Sequence, residues 1–209
     1  MTPEPRIRHW NLYDYEPCAE AMRQQTEARD EASADEIWLL QHPSVLTLGV
    51  GADPSHIHSP CPLPVVRSNR GGQVTCHTPG QLVVYTLLDL RRLQLGVRAL
   101  VERLESAVLA LLAETQTPAH RADGMPGVYV EGKKIASIGL RVSRARSSHG
   151  LALNVHPNLS LFRQINICGN PKLEATSLRE CGVEWSVDET AHKFLPHLLQ
   201  ALYPSEVHA

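Results

Sequence analysis

The stretch from Gly127 to Val142 most restricts what this chain can fold into. Gly127-Val128-Tyr129-Val130 and Lys133-Lys134-Ile135-Ala136-Ser137-Ile138-Gly139-Leu140-Arg141-Val142 are two strand-like runs separated by Glu131-Gly132. A two-residue connection carrying glycine is the signature of a tight hairpin, so these runs pair antiparallel and require a sheet. Strict alternation along the second run predicts Lys134, Ala136 and Ile138 on one face.

Further runs supply strands for that sheet: Ile7–Tyr13, Glu36–Leu40, Val45–Leu48, Leu63–Arg67, Leu82–Tyr85 and His149–Val155. His42-Pro43 breaks the second from the third, because proline removes a ladder donor and drives its neighbour toward extended geometry. Three segments carry helical patterning. Glu16–Glu31 places Ala19, Met22 and Thr26 on one face. Val97, Leu100, Val101, Leu104, Val108, Leu111 and Leu112 form an apolar stripe, with Arg98, Glu102, Arg103 and Glu105 assigned to the other side. Ser186-Val187-Asp188-Glu189 reads as a capping box opening a helix to about Leu202. Leu161-Phe162 fits a short helical turn, and there is no internal repeat or low-complexity segment.

At 209 residues the chain can bury one sizeable core, and one domain over residues 1–209 is expected. A formal net charge of −2 argues against a general binder of nucleic acid or anionic membrane. Met1–Arg6 lacks the pattern of a secretory signal, and no run approaches the roughly 18 apolar residues of a membrane span, which points to a cytoplasmic protein. The five cysteines are odd in number and scattered without a Cys-x-x-Cys pair, so they suggest neither a disulfide framework nor a structural zinc site.

Three places concentrate chemistry. Arg70-Gly71-Gly72-Gln73-Val74-Thr75-Cys76-His77-Thr78-Pro79-Gly80-Gln81 gathers guanidinium, hydroxyl and imidazole among glycines between strand-like runs; it fits a ligand-binding loop or a plain glycine-rich hairpin. Cys168, in Ile165-Asn166-Ile167-Cys168-Gly169-Asn170-Pro171, can project from a turn as a nucleophile or lie buried and inert. Lys134 interrupts a small, apolar strand, either as a cation that assists a thiol or as an edge decoration. His56 and His58, in a proline-rich loop, read as solvent-exposed.

Taken together and in this order, the 70–81 motif, Gly127–Val130, Lys133–Gly139, His149–Asn154 and Cys168-Gly169 resemble the bacterial octanoyltransferases of lipoate biosynthesis over almost the whole chain. The resemblance implies an α+β fold of mixed, mainly antiparallel sheets with flanking helices, similar to the catalytic domain of biotin and lipoate protein ligases. It implies transfer of an octanoyl group from octanoyl-acyl carrier protein to a lysine of lipoyl domains, in 2-oxoacid dehydrogenase complexes and the glycine cleavage H protein, as the first step of endogenous protein lipoylation. By the same resemblance Cys168 carries the acyl group as a thioester and Lys134 faces it and favours the thiolate. Arg70, Gly71, Gly72, Gln73, Val74, Thr75, Cys76 and His77 form one wall of the acyl site; Ser137, Ile138, Gly139, Gly150, Leu151 and Ala152 form the other. Backbone N–H groups at glycine or alanine there are candidate oxyanion donors. No cofactor, metal, nucleic acid or membrane is implied, and a monomer is expected. Arg141, Arg144 and Arg146 are candidates, by charge alone, for meeting the acidic carrier protein.

Two residues depart from the family pattern. Thr78 replaces the usual glycine and Ile167 the usual proline before the nucleophile; both are expected to tune pocket shape. An ATP-dependent ligase on the same fold and a non-catalytic acyl-binding protein are the rival functions.

Overall fold

The computed structural model describes residues 4–204. Of the N-terminal stretch read above, Met1, Thr2 and Pro3 lie outside the described residues. Nine strands and three α-helices are found among them: β1 (Arg6–Leu12), α1 (Tyr15–Ala28), β2 (Glu36–Gln41), β3 (Val45–Leu48), β4 (Val65–Arg67), β5 (Val74–His77), β6 (Gln81–Leu87), α2 (Val97–Glu114), β7 (Gly127–Val130), β8 (Lys133–Ser143), β9 (Arg146–Asn154) and α3 (Val187–Leu202). They build a six-stranded sheet in the order β1-β2-β6-β9-β8-β7 and a three-stranded sheet in the order β4-β3-β5. Only β1–β2 and β3–β4 run parallel, so the architecture is the expected α+β one, mixed and mainly antiparallel.

The large sheet is covered on both faces, and strand alternation decides which side chain goes where. Ile37, Leu39, Leu82, Val84, Leu151 and Leu153 pack with the stripes of α2 and α3 into the main core. Their neighbours Trp38, Leu40, Val83, Tyr85 and Ala152 face Cys18 and Met22 of α1. Helix α1 stops at Ala28, before the expected Glu31, because Arg29 turns extended and its buried guanidinium pairs with Asp35 at 2.5 Å. The capping box on α3 forms as anticipated, with Ser186 Oγ accepting from the Glu189 amide at 3.1 Å. No helix among the described residues is long and apolar enough to cross a membrane.

His42-Pro43 does more than break a strand: the chain leaves the large sheet there and enters the small one. The loop motif is likewise partly strand, with β5 carrying Val74–His77. In the β7–β8 hairpin, Glu131 and Gly132 both take positive φ (49° and 77°), as the expected tight turn needs. The alternation expected along β8 fails at one point. Val128 pairs Ala136 while Tyr129 pairs Lys134, so Ile135 is an extra residue and the strand bulges there. The bulge separates Lys134 from Ala136: Ala136 enters the main core, whereas Lys134 shares the cavity described below with Ser137. The stripe on α2 also needs correction at Glu105, which is buried at 5% exposure and does not face solvent.

Where α1 meets the two sheets, three buried histidines are held neutral. His42 donates from Nδ1 to the Tyr13 carbonyl at 2.5 Å and accepts at Nε2 from the Tyr85 hydroxyl at 2.7 Å. His77 lies against Gln81, and His149 Nε2 meets Asn69 Oδ1 at 2.6 Å. Burial lowers all three, His42 and His149 to about 4 and His77 well below the usual 6.5, with nearby Arg70 adding to the effect on His77 and His149. Between pH 6.5 and about 4 the unfolded chain therefore binds protons that the native chain refuses, and stability must fall as pH falls through that window. Urea unfolding from pH 7.5 down to 4.5 should show ΔG declining by up to about 1.4 kcal/mol per pH unit for each histidine. A stability independent of pH over that range would contradict the neutral cluster.

Candidate active site

A cavity of about 380 Å³ opens between the β8–β9 surface, the small sheet and the start of α2, within the range of about 300–1,000 Å³ typical of small-molecule pockets. Val97, on the first turn of α2, both lines it and is 49% exposed, which marks the mouth. Mostly apolar side chains and glycines form the walls, as a site for an acyl chain requires.

Cys168 and Lys134, remote in sequence, meet at this cavity. Cys168 occupies a tight 3₁₀ turn, Ile167–Gly169, with the left-handed backbone φ 54°, ψ 25°. A non-glycine residue held in that region is strained by about 1–3 kcal/mol and persists only where its surroundings hold it. The supports are visible. Ile167 packs into the small sheet's core, Asn166 donates its amide to the His56 carbonyl at 2.8 Å, and His58 bridges the Arg163 carbonyl and Asn166 Oδ1 at 2.8 and 2.9 Å. His56 is thus not a free loop residue: its ring lies against Gly169, with Nε2 3.0 Å from where a Cβ would stand.

Lys134 is 3% exposed and its Nζ makes three contacts. It donates to Cys168 Sγ at 3.0 Å and to the Pro126 carbonyl at 2.8 Å, and it lies 5.3 Å from the centre of the Tyr129 ring. Among the described residues no carboxylate lies within ion-pairing distance of it. Gly127 makes this geometry feasible, since at φ 134° a Cβ would sit 2.7 Å from Lys134 Cε and 2.4 Å from the Ala136 carbonyl.

Arg70–Thr75 and His77 line one side of the cavity, and Ser137–Gly139 with Gly150–Ala152 line the other. Arg70 is itself buried, with no carboxylate partner among the described residues; its guanidinium donates to the Thr47 carbonyl at 2.7 Å, to Thr47 Oγ1 and to the Gly71 carbonyl. It lies across Gly139, where an added Cβ would come within 3.0 Å of Arg70 Cδ. Cys76, expected in the wall, does not line the cavity. Alternation along β5 sends Thr75 and His77 to the cavity and Cys76 into the small sheet's core, where burial pushes its thiol up to about 12. Thr78 is also outside the cavity, buried and hydrogen-bonded to Ser44 Oγ at 2.8 Å, so its departure from the family pattern is absorbed by the turn. Ile167 does line it. The amides of Gly169 and Asn170 are spent on the Asn166 and Ile167 carbonyls, so neither is free to hold an oxyanion.

Sequence reasoning missed Tyr15, Tyr85, His149, Met125 and Pro126, all of which line the cavity. Tyr85 sat in a run read only as a strand, and His149 headed the His149–Asn154 motif without a role of its own; it projects inward from a left-handed position (φ 60°) that no strand pattern reveals. Arg141 and Arg144 stand exposed toward the β8–β9 turn without ion-pair partners among the described residues, while Arg146 reaches the Thr26 carbonyl at 3.4 Å.

The lipoyl protein ligase A/B catalytic domain family matches residues 14–199. Octanoyltransferases of Chromobacterium violaceum and Methylococcus capsulatus are 45% and 50% identical to this chain over 203 residues, covering 97% of it and 98% of each relative. That of Ectopseudomonas mendocina is 53% identical over 178 residues, 85% of this chain and 87% of its own length. Among solved structures, a lipoate-protein ligase A bound with ATP superposes with a TM-score of 0.76 at 13% identity, over 96% of this chain and 86% of that one. Aquifex aeolicus biotin protein ligase, in complex with biotin and ATP, gives 0.57 at 17% identity over 94% and 70%. At these identities the structural matches establish the fold, and the close relatives establish the rest: with nearly its whole length aligned at half identity, the chain belongs to the octanoyltransferase family, acyltransferases of protein lipoylation.

Proposed function

We propose that the chain moves an octanoyl group from octanoyl-acyl carrier protein to a lysine of lipoyl domains through a thioester on Cys168, as the first step of endogenous protein lipoylation. Acceptors of this reading are the lipoyl domains of 2-oxoacid dehydrogenase complexes and the glycine cleavage H protein; the protein acts as a single-domain, cytoplasmic monomer without cofactor or metal. The observation that carries the reading is the 3.0 Å approach of Lys134 Nζ to Cys168 Sγ at the wall of an apolar cavity.

In the first half-reaction the Cys168 thiolate attacks the donor's thioester carbonyl carbon, the new S–C bond forms, and the carrier's C–S bond breaks. The departing thiolate takes a proton from Lys134, leaving a neutral amine beside an uncharged thioester. That state suits a buried site, because the sulfur no longer offers the ammonium an anion. In the second half-reaction the acceptor's amine attacks the Cys168 thioester and gives its proton to Lys134 as the amide forms. Sγ leaves as thiolate, and the ion pair is restored. Arg70–Thr75 and His77, with Ser137–Gly139 and Gly150–Ala152, enclose the acyl chain. Arg141 and Arg144, exposed toward the hairpin turn, offer the acidic carrier protein a basic contact.

A ligase of the same fold activates a carboxylate as its adenylate and has no need of a thiol nucleophile. The Cys168–Lys134 contact favours transfer from a thioester. Incubation with octanoyl-acyl carrier protein in the absence of ATP should add one octanoyl mass to Cys168, and Cys168→Ser should abolish both adduct and transfer. Strict dependence of transfer on ATP would sink the proposal. Lys134→Ala should move the pH at which iodoacetamide alkylates Cys168 half-maximally upward; an unchanged profile would contradict the role given to Lys134.

A further inference from the structure

We propose that Glu105 is a positioning residue for the Lys134–Cys168 pair, acting through the Pro126–Gly127 peptide group; the proposal rests on the thioester reading above. Glu105 is a carboxylate on the apolar stripe of α2, in register with Val101, Val108 and Leu112, and it is 5% exposed. Burying an ionised carboxylate is costly unless its oxygens are engaged. Both are. Oε2 meets Arg121 Nε at 3.0 Å on the outer side, and Oε1 accepts the Gly127 N–H at 2.9 Å on the inner side.

The other end of that same peptide is the Pro126 carbonyl, which accepts from Lys134 Nζ at 2.8 Å, and Nζ reaches Cys168 Sγ at 3.0 Å. The groups form one chain: carboxylate, peptide, ammonium, sulfur. A peptide unit is planar and rigid, so fixing its N–H fixes the direction of its carbonyl. Polarisation runs the same way, since an N–H bonded to an anion makes the carbonyl a better acceptor for a cation. Pro126 needs this help. It is exposed, belongs to no strand or helix, and follows a turn at Asp123–Gly124. The neighbouring Met125 is tied by its carbonyl, which accepts from the Tyr129 hydroxyl at 3.0 Å, and by its amide, which donates to the Ala122 carbonyl at 3.2 Å, but neither bond fixes the Pro126 carbonyl itself. Among the described residues no carboxylate pairs directly with Lys134, and the carbonyl aimed by Glu105 lies 2.8 Å from its Nζ.

A carboxylate that merely tied α2 to β7 would affect stability and leave the thiol alone. The full chain is therefore compared as wild type, Lys134→Ala, Glu105→Met, Glu105→Asp and Glu105→Gln. Methionine keeps the volume and helix preference without an acceptor, aspartate withdraws the carboxylate by one methylene, and glutamine retains an acceptor oxygen. Folding is checked by circular dichroism, and alkylation of Cys168 by iodoacetamide is followed against pH by peptide mass spectrometry. Glu105→Met and Glu105→Asp should shift the profile upward by about one pH unit, a tenfold loss of thiolate at fixed pH. They should lower kcat for octanoyl transfer with little change in KM for the donor, and Glu105→Gln should return the profile close to wild type. A shift in Lys134→Ala with none in either Glu105→Met or Glu105→Asp would overturn the role of Glu105 alone. Should Lys134→Ala itself leave the profile unmoved, the thioester reading of Lys134 falls, and this inference with it.

Discussion

A buried lysine with no carboxylate partner among the described residues is the constraint from which the rest of this structure follows. Desolvating a lysine charge costs several kcal/mol, and against that Lys134 has a carbonyl, a sulfur and an aromatic face. Each of those partners has to be aimed. The bulge at Ile135 rotates Lys134 out of the core-facing phase of β8, and Gly127 leaves room for its stem. The strained turn at Cys168 brings the sulfur up from the small sheet. Lys134 lies on the large sheet and Cys168 on a turn packed against the small one, so the contact between them depends on how the two sheets are packed.

Arg70 repeats the theme on the opposite wall. It too is a buried cation answered by neutral oxygens, those of Thr47 and Gly71, and it too crosses a glycine, Gly139. Two cations near one apolar cavity favour negative charge inside it. The same field is felt by the histidines: Arg70 helps to hold His77 and His149 neutral. His77 bonds Gln81 and His149 bonds Asn69, and both rings line the cavity.

Much of this was legible in the residues and some was not. Period-two and helical patterns located the elements, since burial on two sides of one sheet writes itself into alternation, as Val83 and Val84 show by facing opposite helices. The motif around Arg70, Cys168 and Lys134 stood out as candidates by chemistry unusual in strands and turns, but only the family resemblance paired the thiol with the lysine. What escaped were shifts of phase. Nothing local announces the bulge at Ile135, so Lys134 and Ala136 were assigned one face when they occupy two. Cys76 was admitted to the wall with its strand neighbours, although its own alternation with Thr75 and His77 argues it inward. Glu105 was assigned to solvent by its charge. Its spacing of four from Val101 and three to Val108 was the available signal, and charge was allowed to override position.

The comparison with ligases shows what the fold leaves open. A chain only 13% identical to an ATP-bound lipoate-protein ligase superposes on it with a TM-score of 0.76, so the sheets and helices alone cannot select between adenylate and thioester chemistry. What bears on the choice here is confined to a few atoms: a thiol on a left-handed turn and an amine that a bulge rotates toward it. Neither needs a new element of structure. The distinction between the two chemistries therefore rests on a sulfur and an amine placed at one wall of the cavity, and the carbonyl that bonds the amine lies on a rim segment anchored to α2.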